Sequence, residues 1–165
     1  MDKDSLKKSL NLPKTSFPMK ANLAQNEGIR LKEWEKSKLY EACLEQEKGT
    51  PEFKFHDGPP YANGHIHVGH LLNKCLKDMV VRSQKLLGRH CPFTPGWDCH
   101  GLPIEHKVLS ELSKEKQEKL ASLEEDIRRL AIRNECQSYA EKCIKIQKEE
   151  MKRLLTNADY KAPYL

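Results

Sequence analysis

His56-Asp57-Gly58-Pro59-Pro60-Tyr61-Ala62-Asn63-Gly64-His65-Ile66-His67-Val68-Gly69-His70 is the stretch whose reading decides the fold. It runs from the end of an alternating segment, through a turn rich in glycine and proline, into an apolar-periodic helix. Two histidines bracket a glycine where that helix begins. A helix start presents unpaired N–H groups and a partial positive charge, so it attracts anions and phosphates in particular. Histidines beside it add side-chain donors for a phosphoryl group whose charge changes during reaction.

Working outward, Phe53-Lys54-Phe55-His56 alternates apolar and polar residues, the pattern of a short strand. After the turn, Val68, Leu72, Cys75, Leu76, Met79, Val80, Ser83, Leu86 and Leu87 recur at three- and four-residue steps. This spacing predicts a helix, with Gly88 placed to end it. Cys91-Pro92-Phe93-Thr94 reads as a second short strand, and residues 95–101 as a glycine-rich loop. From Leu102 to about Leu112 another helix is expected, with Pro103 tolerated in its first turn. Strand, helix, strand, helix is the half-unit of a doubly wound parallel sheet, so the class is α/β. Ligands of such sheets bind beyond the carboxyl ends of the strands, which is where loops 56–67 and 95–101 fall.

The flanks are plainer. Ser5 to Gln25 reads as irregular, because Pro13 and Pro18 exclude a continuous helix. One or two surface helices are expected from Glu27 to about Lys48, ending at Gly49. Ser113 to Lys119 is a charge run, a solvated helix face or a linker. Ser122 and Glu125 have capping-box spacing ahead of a long helix that carries Ile127, Leu130, Cys136, Ala140, Cys143, Gln147 and Met151. Asn157 to Leu165 reads as a loop. No internal repeat occurs.

Composition narrows the class. The 165 residues are 38% hydrophobic and 32% charged, with a net charge of +5. That balance fits contact with a phosphate-bearing ligand, although a solvated surface accounts for most of the lysines. No apolar run is long enough for a membrane span, and the charged start lacks the apolar stretch of a signal peptide. A reducing, cytoplasmic setting is the expectation. Six cysteines form no Cys-x-x-Cys pair, so no metal centre is expected; Cys136 and Cys143 share one helix face and read as core.

Each polar residue singled out has a plain reading beside the chemical one. His67 and His70 are a helix cap and a packed histidine, or ligands of a phosphate. Asp98 is a turn aspartate, or a carboxylate aimed at a cation such as a substrate ammonium. Trp97 packs beside a pocket, and Glu105 and His106 read as surface groups. His56 and Asp57 form an acid–base pair or, more simply, a turn that holds the strand end.

The chain closely resembles the N-terminal part of the isoleucyl-tRNA synthetases, which are class I aminoacyl-tRNA synthetases. The resemblance rests on Leu10 to Thr15, Phe17 to Leu23, His56 to His70 and Pro95 to Glu105, and it spans nearly the whole chain. His67-Val68-Gly69-His70 stands where that class carries its HIGH motif. Gly58-Pro59-Pro60-Tyr61-Ala62-Asn63-Gly64 and Gly96-Trp97-Asp98-Cys99-His100-Gly101 look like the isoleucine version. The resemblance implies the first half of a Rossmann-like nucleotide-binding domain with an irregular, helical N-terminal extension. It implies division into an extension at 1–50, the catalytic half-domain at 51–156, and the start of a connective or editing insertion at 157–165. The implied activity is attack of isoleucine on Mg-ATP to give isoleucyl-adenylate, followed by transfer to tRNA(Ile). His67 and His70 are implied to contact ATP phosphates as catalytic groups, and Gly69 to admit the adenine and ribose. Asn73 is implied to reach the adenylate. Gly58, Pro59 and Trp97 are implied to form the amino-acid pocket, with Asp98 on the ammonium. The cofactor set is ATP with Mg2+, without zinc.

Two departures qualify the resemblance. The family's Lys-Met-Ser-Lys-Ser signature does not occur in these 165 residues, and Ala158-Asp159-Tyr160 replaces the usual Gly-Asp-Trp. The expectation is therefore a fragment, inactive alone, that needs the remainder of a synthetase as partner. A non-catalytic interaction protein and a small nucleotidyltransferase with the same histidine motif are the alternatives. The 95–101 loop speaks against the second.

Overall fold

A computed structural model describes residues 3–11, 15, 16, 18 and 20–165. Pro13, read as a helix breaker, lies outside them. Seven helices are described: α1 Lys3–Ser9, α2 Leu23–Ser37, α3 Leu39–Gln46, α4 Val68–Leu86, α5 Leu102–Glu111, α6 Lys114–Ala121 and α7 Glu125–Arg153. The irregular reading of Ser5 to Gln25 needs correction at both ends, because α1 occupies its start and α2 begins inside it. Lys38, left-handed at φ 50°, closes α2 and opens α3, which makes two helices of the expected surface stretch. The charge run after Ser113 is helix α6, capped by the Ser113 hydroxyl accepting from the Lys116 N–H.

The expected strands at 53–56 and 91–94 do not form. No strand exists among the described residues. Three isolated parallel bridges stand in their place: Glu52 with His90, Tyr61 with Asp98, and Gly96 with Tyr164. Prolines account for this, since Pro51, Pro59, Pro60, Pro92 and Pro95 all lie in the paired segments and none has an N–H to give to a ladder. The parallel order survives nonetheless. Segment 90–98 lies between 51–62 and 158–164, the last joined by Asp159 N–H to Phe93 O and Trp97 N–H to Tyr164 O. Asn157 to Leu165 is thus a third extended segment and not a free loop. A Cβ on Gly96 would overlap the Tyr164 ring, so the close approach of the two segments requires glycine there.

Helix α4 forms where its period predicts, but its apolar stripe is not the buried face. Val68 is 78% exposed, Leu72 62%, Leu76 53%, Met79 63% and Leu86 89%. The inward face combines the fully buried Val81 with polar side chains. Lys74 and Lys77 both pair with the buried Asp57 carboxylate, Lys74 at 2.8 Å. Further along, Arg82 donates to Leu155 O and Lys85 binds both oxygens of Glu47.

The long helix α7 runs as expected and buries Cys136, Ala140, Cys143, Gln147 and Met151. Its start departs from the capping-box reading. Ser122 Oγ donates back to Lys119 O in α6, and Glu124 takes the N-cap position without a side-chain bond. The core gathers α7 with Trp97, Phe93, Val81, Ile104 and Tyr160. At its centre the fully buried Gln147 accepts from Trp97 Nε1 at 2.9 Å and donates to Tyr61 O and Gly64 O at 3.2 and 3.0 Å.

Replacing Gln147 by leucine keeps the volume but leaves an indole N–H and two carbonyls unpaired. A loss of about 3 kcal/mol in unfolding free energy is expected, from the cost of unsatisfied buried groups. Urea denaturation of both proteins checks this, and equal midpoints would remove Gln147 as a structural centre.

Candidate nucleotide-binding site

The start of α4 is built by its own histidines. His67 is the N-cap, in extended conformation, and its Nδ1 accepts from the Gly69 N–H at 3.0 Å. His70 returns the bond, its Nδ1 accepting from the His67 N–H at 3.2 Å. The two rings lie 4.0 Å apart between centroids, tilted by 38°. A ring nitrogen that accepts carries no proton, so the neutral ring is protonated at Nε2. Both histidines therefore keep an Nε2–H that no hydrogen bond uses among the described residues. Burial, then the charges of His67 and Lys74, hold the His70 pKa below the usual histidine range. His70 is a neutral donor at pH 7.

Gly69 has a local reason to be glycine. A Cβ there would lie 2.9 Å from His67 Cε1, too close to the capping ring. Asn73 is exposed on the next turn. Asp57, singled out as half of an acid–base pair or a turn residue, follows the turn reading, because the Lys74 and Lys77 pairs anchor the segment to α4. Lys77 also donates to Gly58 O at 3.0 Å, which fixes the glycine–proline loop directly. Burial holds the Lys74 pKa below the usual lysine range, against the pull of Asp57.

The second loop meets the first through its backbone. Asp98 N–H donates to Pro60 O at 2.8 Å, and Ala62 N–H donates to Asp98 O at 2.9 Å. The Asp98 side chain makes a turn contact, with Oδ1 accepting from the His100 N–H at 3.2 Å. Oδ2 has no protein donor among the described residues. Trp97 is buried, and its indole N–H is committed to Gln147. The chain thus brings Asp98 against the loop that carries Gly58 and Pro59, with the histidine pair following that loop into α4.

Four α7 residues that the sequence pattern does not mark as functional hold this loop from behind. Tyr139 donates to Asn63 Oδ1, Cys143 Sγ receives the Gly64 N–H, Gln147 takes Tyr61 O and Gly64 O, and Glu150 takes the Ile66 N–H. Their spacing of four, four and three residues, one stripe of a helix, was the available signal.

Two cavities lie elsewhere. One of 370 Å³ sits between α2, α3 and the end of α7, and it includes Trp34, Tyr40 and Tyr160. The other, 690 Å³, opens beside Cys99, His100 and Gly101, between α5 and α7. Neither includes His67, which is exposed, or His70, which is half-buried. No cluster of three histidine, cysteine or acidic side chains suited to a metal ion occurs among the described residues. No helix among them is long and apolar enough to cross a membrane.

Comparison with known proteins gives the family of the chain. The family model for tRNA synthetases class I (I, L, M and V) matches residues 29–165. An isoleucine--tRNA ligase of Desulfotalea psychrophila is 54% identical over 157 residues, covering 95% of this chain and 16% of the relative. That of Thermotoga petrophila is 53% identical over 159 residues, again 96% against 16%. The Zymomonas mobilis enzyme is 51% identical over 154 residues, 93% against 16%. Among solved structures, the Agrobacterium radiobacter K84 agnB2 LeuRS, in a ternary complex with tRNA and LeuAMS, superposes with a TM-score of 0.61. It is 17% identical, and the match covers 86% of this chain and 15% of that one, a likeness of fold. The chain spans about one sixth of the length of the curated relatives it matches, 16% in each of these three. With most of its length under the family model and more than half its residues shared with isoleucine enzymes, this chain belongs to the class I tRNA synthetases of the isoleucine, leucine, methionine and valine group.

Proposed function

We propose that this chain carries the part of an isoleucine-activating site that holds ATP and the amino acid. The observation that carries the reading is the reciprocal cap of His67 and His70, which leaves two Nε2–H donors at a helix start. In the reaction a carboxylate oxygen of isoleucine attacks the α-phosphorus of Mg-ATP. The bond from that phosphorus to the bridging oxygen breaks, and pyrophosphate leaves with the electron pair. The two histidines and the free N–H groups of α4 would donate to the phosphates as negative charge shifts, so that positioning and electrostatics carry the step. Transfer follows when a ribose hydroxyl of tRNA(Ile) attacks the adenylate carbonyl and AMP departs.

Asp98 suits the substrate ammonium through Oδ2, since its other oxygen already orders the turn. Gly58 and Pro59 would line the side-chain pocket, with Trp97 packed behind it and Asn73 facing the nucleotide. The isoleucine assignment draws on relatives named isoleucine--tRNA ligase at about half identity over nearly the whole chain. We read residues 1–50 as an extension, 51–156 as the catalytic half-domain and 157–165 as the approach to an insertion. The exposed apolar face of α4 and the missing lysine signature favour a site completed by further synthetase sequence.

Three outcomes test the reading. Isoleucine-dependent ATP–pyrophosphate exchange is expected to be undetectable with the chain alone and to appear when the remaining synthetase sequence is supplied in trans. Ordinary turnover by the isolated chain would contradict the half-site. In that assembled complex, Asp98→Ala is expected to weaken isoleucine binding by about tenfold, the worth of one charged hydrogen bond, and to leave ATP binding little changed. Equal loss of both ligands would remove the ammonium role. Finally, a bound phosphate raises the pKa of His70 from its depressed value in the free chain. Between the depressed pKa of the free chain and the raised pKa of the complex, ATP binding should therefore take up protons. Calorimetry in buffers of different ionisation enthalpy reads this directly, and buffer-independent heats would show that His70 does not meet the phosphates.

A further inference from the structure

Between the left-handed Gly64, at φ 67°, and the N-cap His67 lie only His65 and Ile66. Whatever holds these two residues sets how the chain enters α4. Glu150, on the loop-facing stripe of α7, holds both. His65 Nδ1 donates to Glu150 Oε1 at 2.5 Å, and the Ile66 N–H donates to Glu150 Oε2 at 2.9 Å. Gly64 itself is gripped by Cys143 and Gln147, so Glu150 is the last α7 contact ahead of the histidine pair.

We propose that Glu150 is a positioning residue for the nucleotide site, acting through His65 and the Ile66 N–H on the aim of the His67 and His70 Nε2–H groups. The proposal deepens the reading of that site as an ATP site and rests on it for the ligand. Both carboxylate oxygens accept from protein donors, so Glu150 is committed to holding His65 and the Ile66 N–H. A carboxylate suits the position because it accepts from two donors at once, whereas an amide offers one acceptor. Burial disfavours the charge, but the bonds from His65 and Ile66 outweigh it and hold the Glu150 carboxyl below the usual range. The clamp therefore persists throughout the neutral range. The pair is part-exposed at the rim of the core, with side chains 74% and 30% accessible, so its loss should loosen the helix start without unfolding the chain.

The test uses the full 165-residue chain with Glu150→Ala, Glu150→Gln and His65→Ala, and ATP as the probe. Amide exchange and imidazole nitrogen spectra of the free proteins come first. Glu150→Ala is expected to abolish protection at Ile66 and to mix the tautomers of His67 and His70, with little change in the thermal midpoint. Glu150→Gln keeps an acceptor for Ile66 and should restore both signals, and His65→Ala should leave Ile66 protected. In ATP titrations Glu150→Ala should bind about tenfold more weakly, the scale of one charged hydrogen bond, and Glu150→Gln should recover most of that loss. Unchanged protection and tautomers in a folded Glu150→Ala protein would overturn the proposal, as would altered spectra with unchanged ATP affinity. If the unsubstituted chain fails to bind ATP, the nucleotide reading falls, while the spectra still decide whether Glu150 sets the histidine geometry.

Discussion

One buried amide ties the site together. Gln147 reaches Trp97 on one segment and Tyr61 and Gly64 on another, from a position in the C-terminal half of α7. In an ordinary parallel sheet, ladder hydrogen bonds would set the register of those segments. Here prolines remove the ladders and leave single bridges. The register of the two loops is therefore carried by the Asp98 backbone bonds and by the amide behind them. Since the amide satisfies groups that burial would otherwise penalise, it acts with the hydrophobic core around Trp97 and not instead of it.

Helix α4 illustrates a second constraint. Its inner face must meet a loop that presents the Asp57 carboxylate and the Gly58 carbonyl, so the lysines turn inward. The apolar residues are then left outside. Full burial of one such side chain is worth about 1.5–3 kcal/mol, so a stripe of this length favours cover by another apolar surface. Hydrophobic period locates the helix from the sequence with its ends nearly correct. It does not say which face is buried, because the period records which side is apolar and not which partner that side meets.

The same distinction separates what was legible in the site from what was not. The histidine cap, the glycine between its members and the Asp98 turn all follow from local spacing, and each is formed by residues within three positions of one another. The α7 contacts span some eighty residues of sequence, and polar side chains on a long charged helix look like a solvated surface. Gln147 could be grouped with the apolar positions by period alone, but nothing in the pattern names its partners. The Ser122 and Glu125 spacing misleads for the converse reason. A helix precedes it, and the serine hydroxyl returns to that helix instead of capping the next.

The choice of histidine at the helix start follows from these geometries. Serine or aspartate would cap α4 as well as histidine does. Serine would keep its O–H once its oxygen has taken the backbone N–H, but that donor lies close against the helix start and reaches less far than a ring. Aspartate would place a negative charge against an incoming phosphate. Histidine satisfies the helix with Nδ1 and still presents Nε2–H about one ring width further out. The bonds that begin the helix thereby fix the tautomer that donates, and the partial positive charge of the helix start adds to the same direction. Burial keeps His70 neutral in the free chain, so a phosphate can draw a full charge there only by binding. The bonds that cap α4 are thus the same bonds that, on the proposed reading, fix the two Nε2–H donors for a phosphate.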